Sequence, residues 1–170
     1  GLDYKNPYLS PYDEFQRFKT HTSIKKYLEN GKRISYGARA LIEGGLQSLP
    51  KMHMPGALLI GCDAGTLNMP KIKGSHTAMK SGILAAESIF DFLTNHIPLS
   101  NFETKLKNSW LYKELYKARN VKPSFNWGLI LAILFTGLDQ IVFRGNLPFT
   151  LKHKHPDHES LLDCKNSKKI

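Results

Sequence analysis

The residue types best suited to chemistry lie in two short glycine-bearing stretches, Gly61-Cys62-Asp63-Ala64-Gly65 and Gly74-Ser75-His76-Thr77. Small residues at 61, 64 and 65 let backbone approach a ligand closely. The second stretch opens a helix-patterned segment, whose first N–H groups lack intrahelical partners and sit at the positive end of the helix dipole. Such donors suit a phosphate, or the electron-rich pyrimidine edge of a reduced flavin. Lys71 and Lys73, between the stretches, would offset the negative charge of a flavin or simply be solvated. His76 would contact a cofactor or pack. An ordinary strand–turn–helix connection explains the same residues without any ligand. Cys62 reads as a small packing residue, since no disulfide partner stands near it in sequence.

Other chemistries find less support. No Ser/His/Asp set or carboxylate pair stands out, so hydrolysis is not expected. His153, His155, Asp157 and His158, with Cys164 further on, imitate a metal cluster, but Lys154 and Pro156 interrupt it. The composition there is that of a solvated, mobile tail. Two cysteines cannot build a disulfide scaffold or complete a thiolate cluster. The formal charge of +10 calls for an anionic partner. No aromatic pair sits in a strand motif of the RNA-binding kind, so nucleic acid is not expected.

These residues need elements to position them. Residues 56–61 form an apolar run that reads as a strand buried on both faces, as in a parallel α/β sheet. A helix is predicted over 75–93, with Ala78, Met79, Ile83, Ala86, Ile89, Phe90 and Leu93 as its apolar stripe. Ser100 and Glu103 have capping-box spacing and would open one basic helix to Arg119. Lys105, Lys107, Lys113, Lys117 and Arg119 would form its cationic surface. Upstream, Ser10 caps a helix over 12–19, Ser23 starts another over 24–29, and 32–36 reads as a short strand.

Residues 125–135 are the second informative passage. A core helix would explain the run, but Phe125 and Trp127 at one end, Phe143 and Phe149 near the other, and the basic helix before it suit a different role. That role is an interfacial segment at headgroup depth, with Trp127, Leu129, Ile130, Ile133, Leu134 and Phe135 in acyl chains and lysines on anionic lipid. The run is too short to span a bilayer. At 170 residues and 41% apolar composition, the chain should bury a real core. Its start, Gly1-Leu2-Asp3-Tyr4-Lys5, is neither a signal nor a transit peptide, and the lack of Met suggests a piece of a longer chain.

The run Leu58-Leu59-Ile60-Gly61-Cys62-Asp63-Ala64-Gly65, continuing through Asn68-Met69-Pro70-Lys71-Ile72-Lys73-Gly74-Ser75-His76-Thr77-Ala78-Met79-Lys80-Ser81-Gly82, resembles the late flavin-binding segment of the electron-transfer flavoprotein–ubiquinone oxidoreductase family. So do Gly1-Leu2-Asp3-Tyr4, Asn6-Pro7-Tyr8-Leu9-Ser10-Pro11 and Gly31-Lys32-Arg33-Ile34-Ser35-Tyr36-Gly37-Ala38-Arg39. Lys107-Asn108-Ser109-Trp110 and Thr150-Leu151-Lys152-His153-Lys154 follow in the same order.

The resemblance implies an α/β class: a fragment of a glutathione-reductase-like FAD-binding fold, with a quinone-side α+β subdomain and an interfacial membrane helix. Residues 1–50 would belong to the quinone side, 51–99 to the FAD-binding domain and 100–150 to the basic helix and membrane segment, with 151–170 a polar tail. It implies FAD as cofactor, a 4Fe-4S cluster in the full-length protein, and electron-transfer flavoprotein, ubiquinone and a membrane lipid surface as partners. Location would be peripheral on a bacterial inner membrane, or on the matrix side of the mitochondrial one. The Gly-x-Gly-x-x-Gly motif and a cysteine-rich cluster segment are absent from this chain. Related flavin reductases place Gly-Asp-Ala-Ala-Gly at the turn; here Cys62 stands at the Asp position and the carboxylate moves to Asp63. The turn's backbone is therefore the expected flavin contact. A flavin-dependent isoprenoid reductase shares the turn and the Ala-Met-Lys-Ser-Gly helix, and a basic membrane-binding module without redox chemistry is the non-enzymatic alternative.

Overall fold

A computed structural model describes residues 4–170, with the side chains of Asp157 and His158 and all of Gly1-Leu2-Asp3 outside the described set. The chain divides into two compact units, one from its two ends, up to Arg39 and from His155 onward, and one from Ala40–Lys154.

In the first unit, Ser10 caps helix α1 (Pro11–Lys19) as its spacing predicts, its hydroxyl accepting from the Asp13 N–H. Helix α2 (Thr22–Leu28) starts two residues earlier than expected, because the cap is His21, whose ring nitrogen accepts the Ser23 N–H, and not Ser23 itself. Neither helix has a buried residue, and Phe15 and Phe18 stack in solvent with ring centroids 6.3 Å apart. Residues 32–36 form no strand: no neighbour offers a ladder, and every one of them is exposed. The tail is tied down instead of loose. Leu162 N–H donates to the Lys5 carbonyl at 2.9 Å, and the Asn6 amide donates to the Lys168 carbonyl at 2.8 Å.

All the buried apolar residues among those described belong to the second unit. Its core gathers Met52, Ala64, Leu84, Ala85, Phe102, Leu106, Leu111 and Leu115. The expected parallel strand over 56–61 is absent. Pro55-Gly56 is a turn, with Gly56 at φ +76°, and it folds β1 (His53–Met54) against β2 (Ala57–Leu58) as an antiparallel hairpin. Leu59 and Ile60, predicted to be buried on both faces, are about 40% exposed. The described residues are mostly helical with this one small antiparallel sheet, so the expected parallel α/β sheet is not formed among them.

Helix α3 (Ser75–Asn95) is where its spacing puts it, but turned. Its buried face is Thr77, Ser81, Leu84, Ala85 and Ser88, while Met79, Ile83, Ile89, Phe90 and Leu93 face out. Small residues let α3 sit close to the turn over 61–65: the Gly61 N–H donates to Ser81 Oγ at 2.9 Å, deep inside. The basic helix breaks in two at Ser109, whose extended ψ of 162° separates α4 (Asn101–Asn108) from α5 (Trp110–Ala118). The capping box at Ser100 does not form. Glu103 turns away to accept from Met52 N–H at 3.1 Å and to meet His53 Nδ1 at 2.8 Å, which fastens α4 to the hairpin. Two of the expected surface cations are also engaged internally. Lys105 pairs with Asp91 at 2.6 Å, and Arg119 is 2% exposed. A one-turn helix α6 (Val121–Ser124) then leads to α7 (Leu129–Gly137) and a wide π-turn, Leu138–Val142.

Candidate functional site

The turn is built from tight backbone. Gly61 and Gly65 lie at φ +67° and +85°, in the left-handed region that favours glycine, and Gly61–Ala64 winds as a 3-10 turn between them. Ala64 is buried, Cys62 half-buried and Asp63 exposed. A Cβ on Gly74 would stand 3.0 Å from Cys62 Sγ and 3.3 Å from Leu67 Cδ1. The bareness of Gly74 therefore admits the Cys62 thiol and Leu67. After Gly74, α3 begins without a side-chain cap and without an acidic residue in its first turn. Ser75 is exposed, and Thr77 donates its hydroxyl back to the Gly74 carbonyl at 2.9 Å.

The residue that organises this corner is Glu114, on α5. Its Oε1 accepts from the Asn68 amide at 2.7 Å and meets His76 Nε2 at 2.9 Å and Lys71 Nζ at 3.2 Å. The His76 ring lies flat against Trp110, 5.8 Å between centroids and 6° between planes. Asn68, almost fully buried, also accepts from Lys71 N–H and bridges by backbone to Lys73. Lys71 and His76, expected to serve a ligand, are thus drawn to a carboxylate of the same chain, while Lys73 is exposed beside them. In the sequence Glu114 stands out as the only acidic residue between Glu103 and Asp139.

Burial works to raise the Glu114 pKa, but hydrogen bonds from His76, Asn68 and Lys71 outweigh it and hold the carboxyl below its usual range. A depressed folded-state pKa means that this stabilisation is complete above the unfolded value, near 4.3, and is lost as pH falls through the folded value. Glu114→Gln should therefore cost about 2 kcal/mol at neutral pH. The gap in Tm between parent and variant should close on acidification through the carboxylate range. A gap that is constant with pH would show that charge at Glu114 is not what holds the corner.

Helix α7 presents the opposite character. Of its nine residues only Ala132 is buried. Leu129, Ile130, Ile133 and Leu134 are between 56% and 74% exposed. Trp127 is half exposed, and the bare apolar surface continues through Ile141, Val142 and Phe143. Phe135 is less exposed than its neighbours, edge-on to Trp127 at 5.1 Å and near Phe149 at 6.5 Å. Among the described residues no helix is long and apolar enough to cross a membrane. The described residues also hold no metal-binding group of three or more; His153 Nε2 donates to the Gly44 carbonyl at 2.8 Å, and His155 pairs with Glu159.

A family model described as ETF-QO, ubiquinone-binding, matches residues 1–41. Proteins named "Electron transfer flavoprotein-ubiquinone oxidoreductase, mitochondrial" from Sus scrofa and Homo sapiens are each 55% identical to 98% of this chain, and that from Oryza sativa subsp. japonica is 52% identical to 94%. The chain spans 28% of the length of each of these relatives.

Proposed function

From a chain that belongs, over nearly its whole length, to the electron transfer flavoprotein–ubiquinone oxidoreductase family, we propose a segment of a membrane-associated oxidoreductase that passes electrons from electron-transfer flavoprotein to ubiquinone. The observation that carries this reading is the 55% identity over 98% of the chain. The relatives' mitochondrial names favour a mitochondrial inner membrane over a bacterial one as its place, and the matrix side is our own reading.

FAD suits the corner around α3. The helix start has no capping side chain and no acid in its first turn, and the Thr66 hydroxyl just after the turn is fully buried without a hydrogen-bond partner. The residues that would hold it are the backbone of Gly61, Cys62, Asp63, Ala64 and Gly65 and the first-turn N–H groups of Ser75, His76 and Thr77. Bound there, FAD supplies reversible electron transfer. Gly74 keeps the turn seated on α3 by admitting Cys62, Glu114 fixes the His76 ring, and Lys73 adds positive charge where a reduced ring would carry negative. A 4Fe-4S cluster does not fit: four thiolates are needed, and the sequence has two cysteines, Cys62 and Cys164. Helix α7 would rest on one leaflet, its apolar side chains among acyl chains.

The full-length protein containing this chain should purify with flavin and carry electrons from reduced electron-transfer flavoprotein to ubiquinone. The isolated chain should be colourless, because no dinucleotide motif is present to grip the pyrophosphate. A flavin-loaded full-length protein that cannot reduce ubiquinone would refute the functional reading. Stoichiometric flavin on the isolated chain would refute the assignment of the main cofactor contacts to other segments.

A further inference from the structure

We propose that Arg119 and Asn120 act as a clasp on the return segment over 145–151, fixing how deeply the apolar helix α7 enters a bilayer; this rests on the reading of α7 as a membrane element. Arg119 is 2% exposed, and a buried guanidinium is tolerated only when its donors are satisfied. All five N–H groups find acceptors. Nη1 donates to the Tyr116 carbonyl and the Gly145 carbonyl, each at 2.7 Å. Nη2 donates to the carbonyls of Leu147 and Phe149, and Nε donates to Thr150 Oγ1 at 2.9 Å. The Tyr116 ring covers the cation at 3.7 Å. Four of the five acceptors thus come from one short stretch of returning chain.

Neighbouring amides close the same joint. Asn120 donates to the Phe149 carbonyl at 3.1 Å and accepts from Leu151 N–H at 2.8 Å. Gln47 donates to the carbonyls of Arg119 and Leu151, at 2.7 and 2.8 Å, and so spans the joint. The chain between the two ends of the clasp, residues 121–144, contains α6, α7 and the π-turn, and with them the exposed apolar surface. The apolar segment is therefore a closed excursion pinned at its root by one planar, rigid fork. Lysine would keep the charge but offers three donors on a flexible stem and cannot reach four carbonyl and hydroxyl groups arrayed along a chain. An excursion pinned at both ends enters a bilayer at one depth, and an unpinned one at many.

The test uses Trp127 as the depth probe, on these 170 residues in a Trp110→Phe background that leaves it their only tryptophan. Vesicles of phosphatidylcholine and phosphatidylglycerol carry bromine at either a shallow or a deep acyl position. The parent should be quenched strongly at one depth. Arg119→Ala, Arg119→Lys and the milder Asn120→Ala should each lose that depth selectivity while their helical circular dichroism is kept. Should Arg119→Ala fail to fold, the other two variants carry the test. Unchanged depth selectivity in the folded variants, or an Arg119→Lys profile equal to the parent's, overturns the clasp and leaves the membrane reading standing. No quenching of the parent at either depth overturns both.

Discussion

Ile130→Asp with Leu134→Asp is expected to lower partitioning of the chain onto anionic vesicles by about 100-fold or more. Both side chains are among the most exposed on α7, at 74% and 65%, so the substitutions remove little from the fold. Burying a large aliphatic side chain in an apolar phase contributes roughly 1.5–3 kcal/mol, so losing two forfeits about 3–6 kcal/mol. At 1.4 kcal/mol per tenfold, the lower figure already reaches about 100-fold. Two added carboxylates would also oppose the lysines, each of which contributes about 1 kcal/mol near an anionic surface. High salt should weaken the first encounter, because the Debye length is about 8 Å at physiological ionic strength, but should not release bound protein. Vesicle flotation of parent and double variant reads this directly. Equal flotation of the two, or flotation of neither, would mean that the bare face of α7 meets protein instead of lipid. Phe135→Asp is not an equivalent probe, because its ring packs on Trp127 and would unsettle the segment itself.

Gly145→Ala should be among the most damaging single-atom additions to this chain. Gly145 has φ +73°, where an L side chain is strained. A Cβ would fall 2.3 Å from the Lys117 carbonyl oxygen and 2.7 Å from Lys117 Cα, both backbone atoms that cannot swing away. Its own carbonyl receives Arg119 Nη1, and its N–H donates to the Asp139 carbonyl at 2.9 Å, so any shift breaks both bonds. Strain of about 1–2 kcal/mol and overpacking of about 1–3 kcal/mol together give a loss of about 2–5 kcal/mol. Thermal unfolding should register a fall in Tm of roughly 4–20 °C, at about 2–4 °C per kcal/mol for a chain of this size. By contrast, Gly128→Ala has open space around the new Cβ and should show only the strain of its φ of +91°. Similar Tm values for the two variants would mean that the joint at Lys117 yields easily.

What could be read from the sequence was local. Ser10 caps α1 because a hydroxyl three residues before an N–H is all that contact requires. The start of α3 follows from Gly74 before it, and the helical pattern within it brings the end to two residues short of Asn95. Features set by distant partners were hidden. The run over 56–61 has the composition of a central strand, yet Pro55-Gly56 gives it the preceding residues as its partner. On α3 the stripe of large apolar residues points out and the serines point in, because the turn at Gly61 needs a close neighbour with a hydroxyl to accept its N–H. By its spacing Arg119 reads as one more surface cation in a basic helix. Its burial depends on carbonyls 26 to 30 residues further on, which no periodicity announces. Glu114 was hidden for the same reason: its three partners come from other elements.

The proposed resting of α7 on a membrane brings electron delivery to a membrane-dissolved quinone. It is tested most directly in the full-length, flavin-loaded protein, by comparing the parent with Ile130→Asp/Leu134→Asp on two acceptors. One acceptor is long-chain ubiquinone dissolved in vesicles, and the other is a water-soluble short-chain quinone, with reduced electron-transfer flavoprotein as donor in both. The double variant should lose most of its rate with the vesicle-borne quinone and keep its rate with the soluble one. Equal retention of both rates would contradict a role for α7 in reaching the membrane, and loss of both would place the helix in the electron path instead.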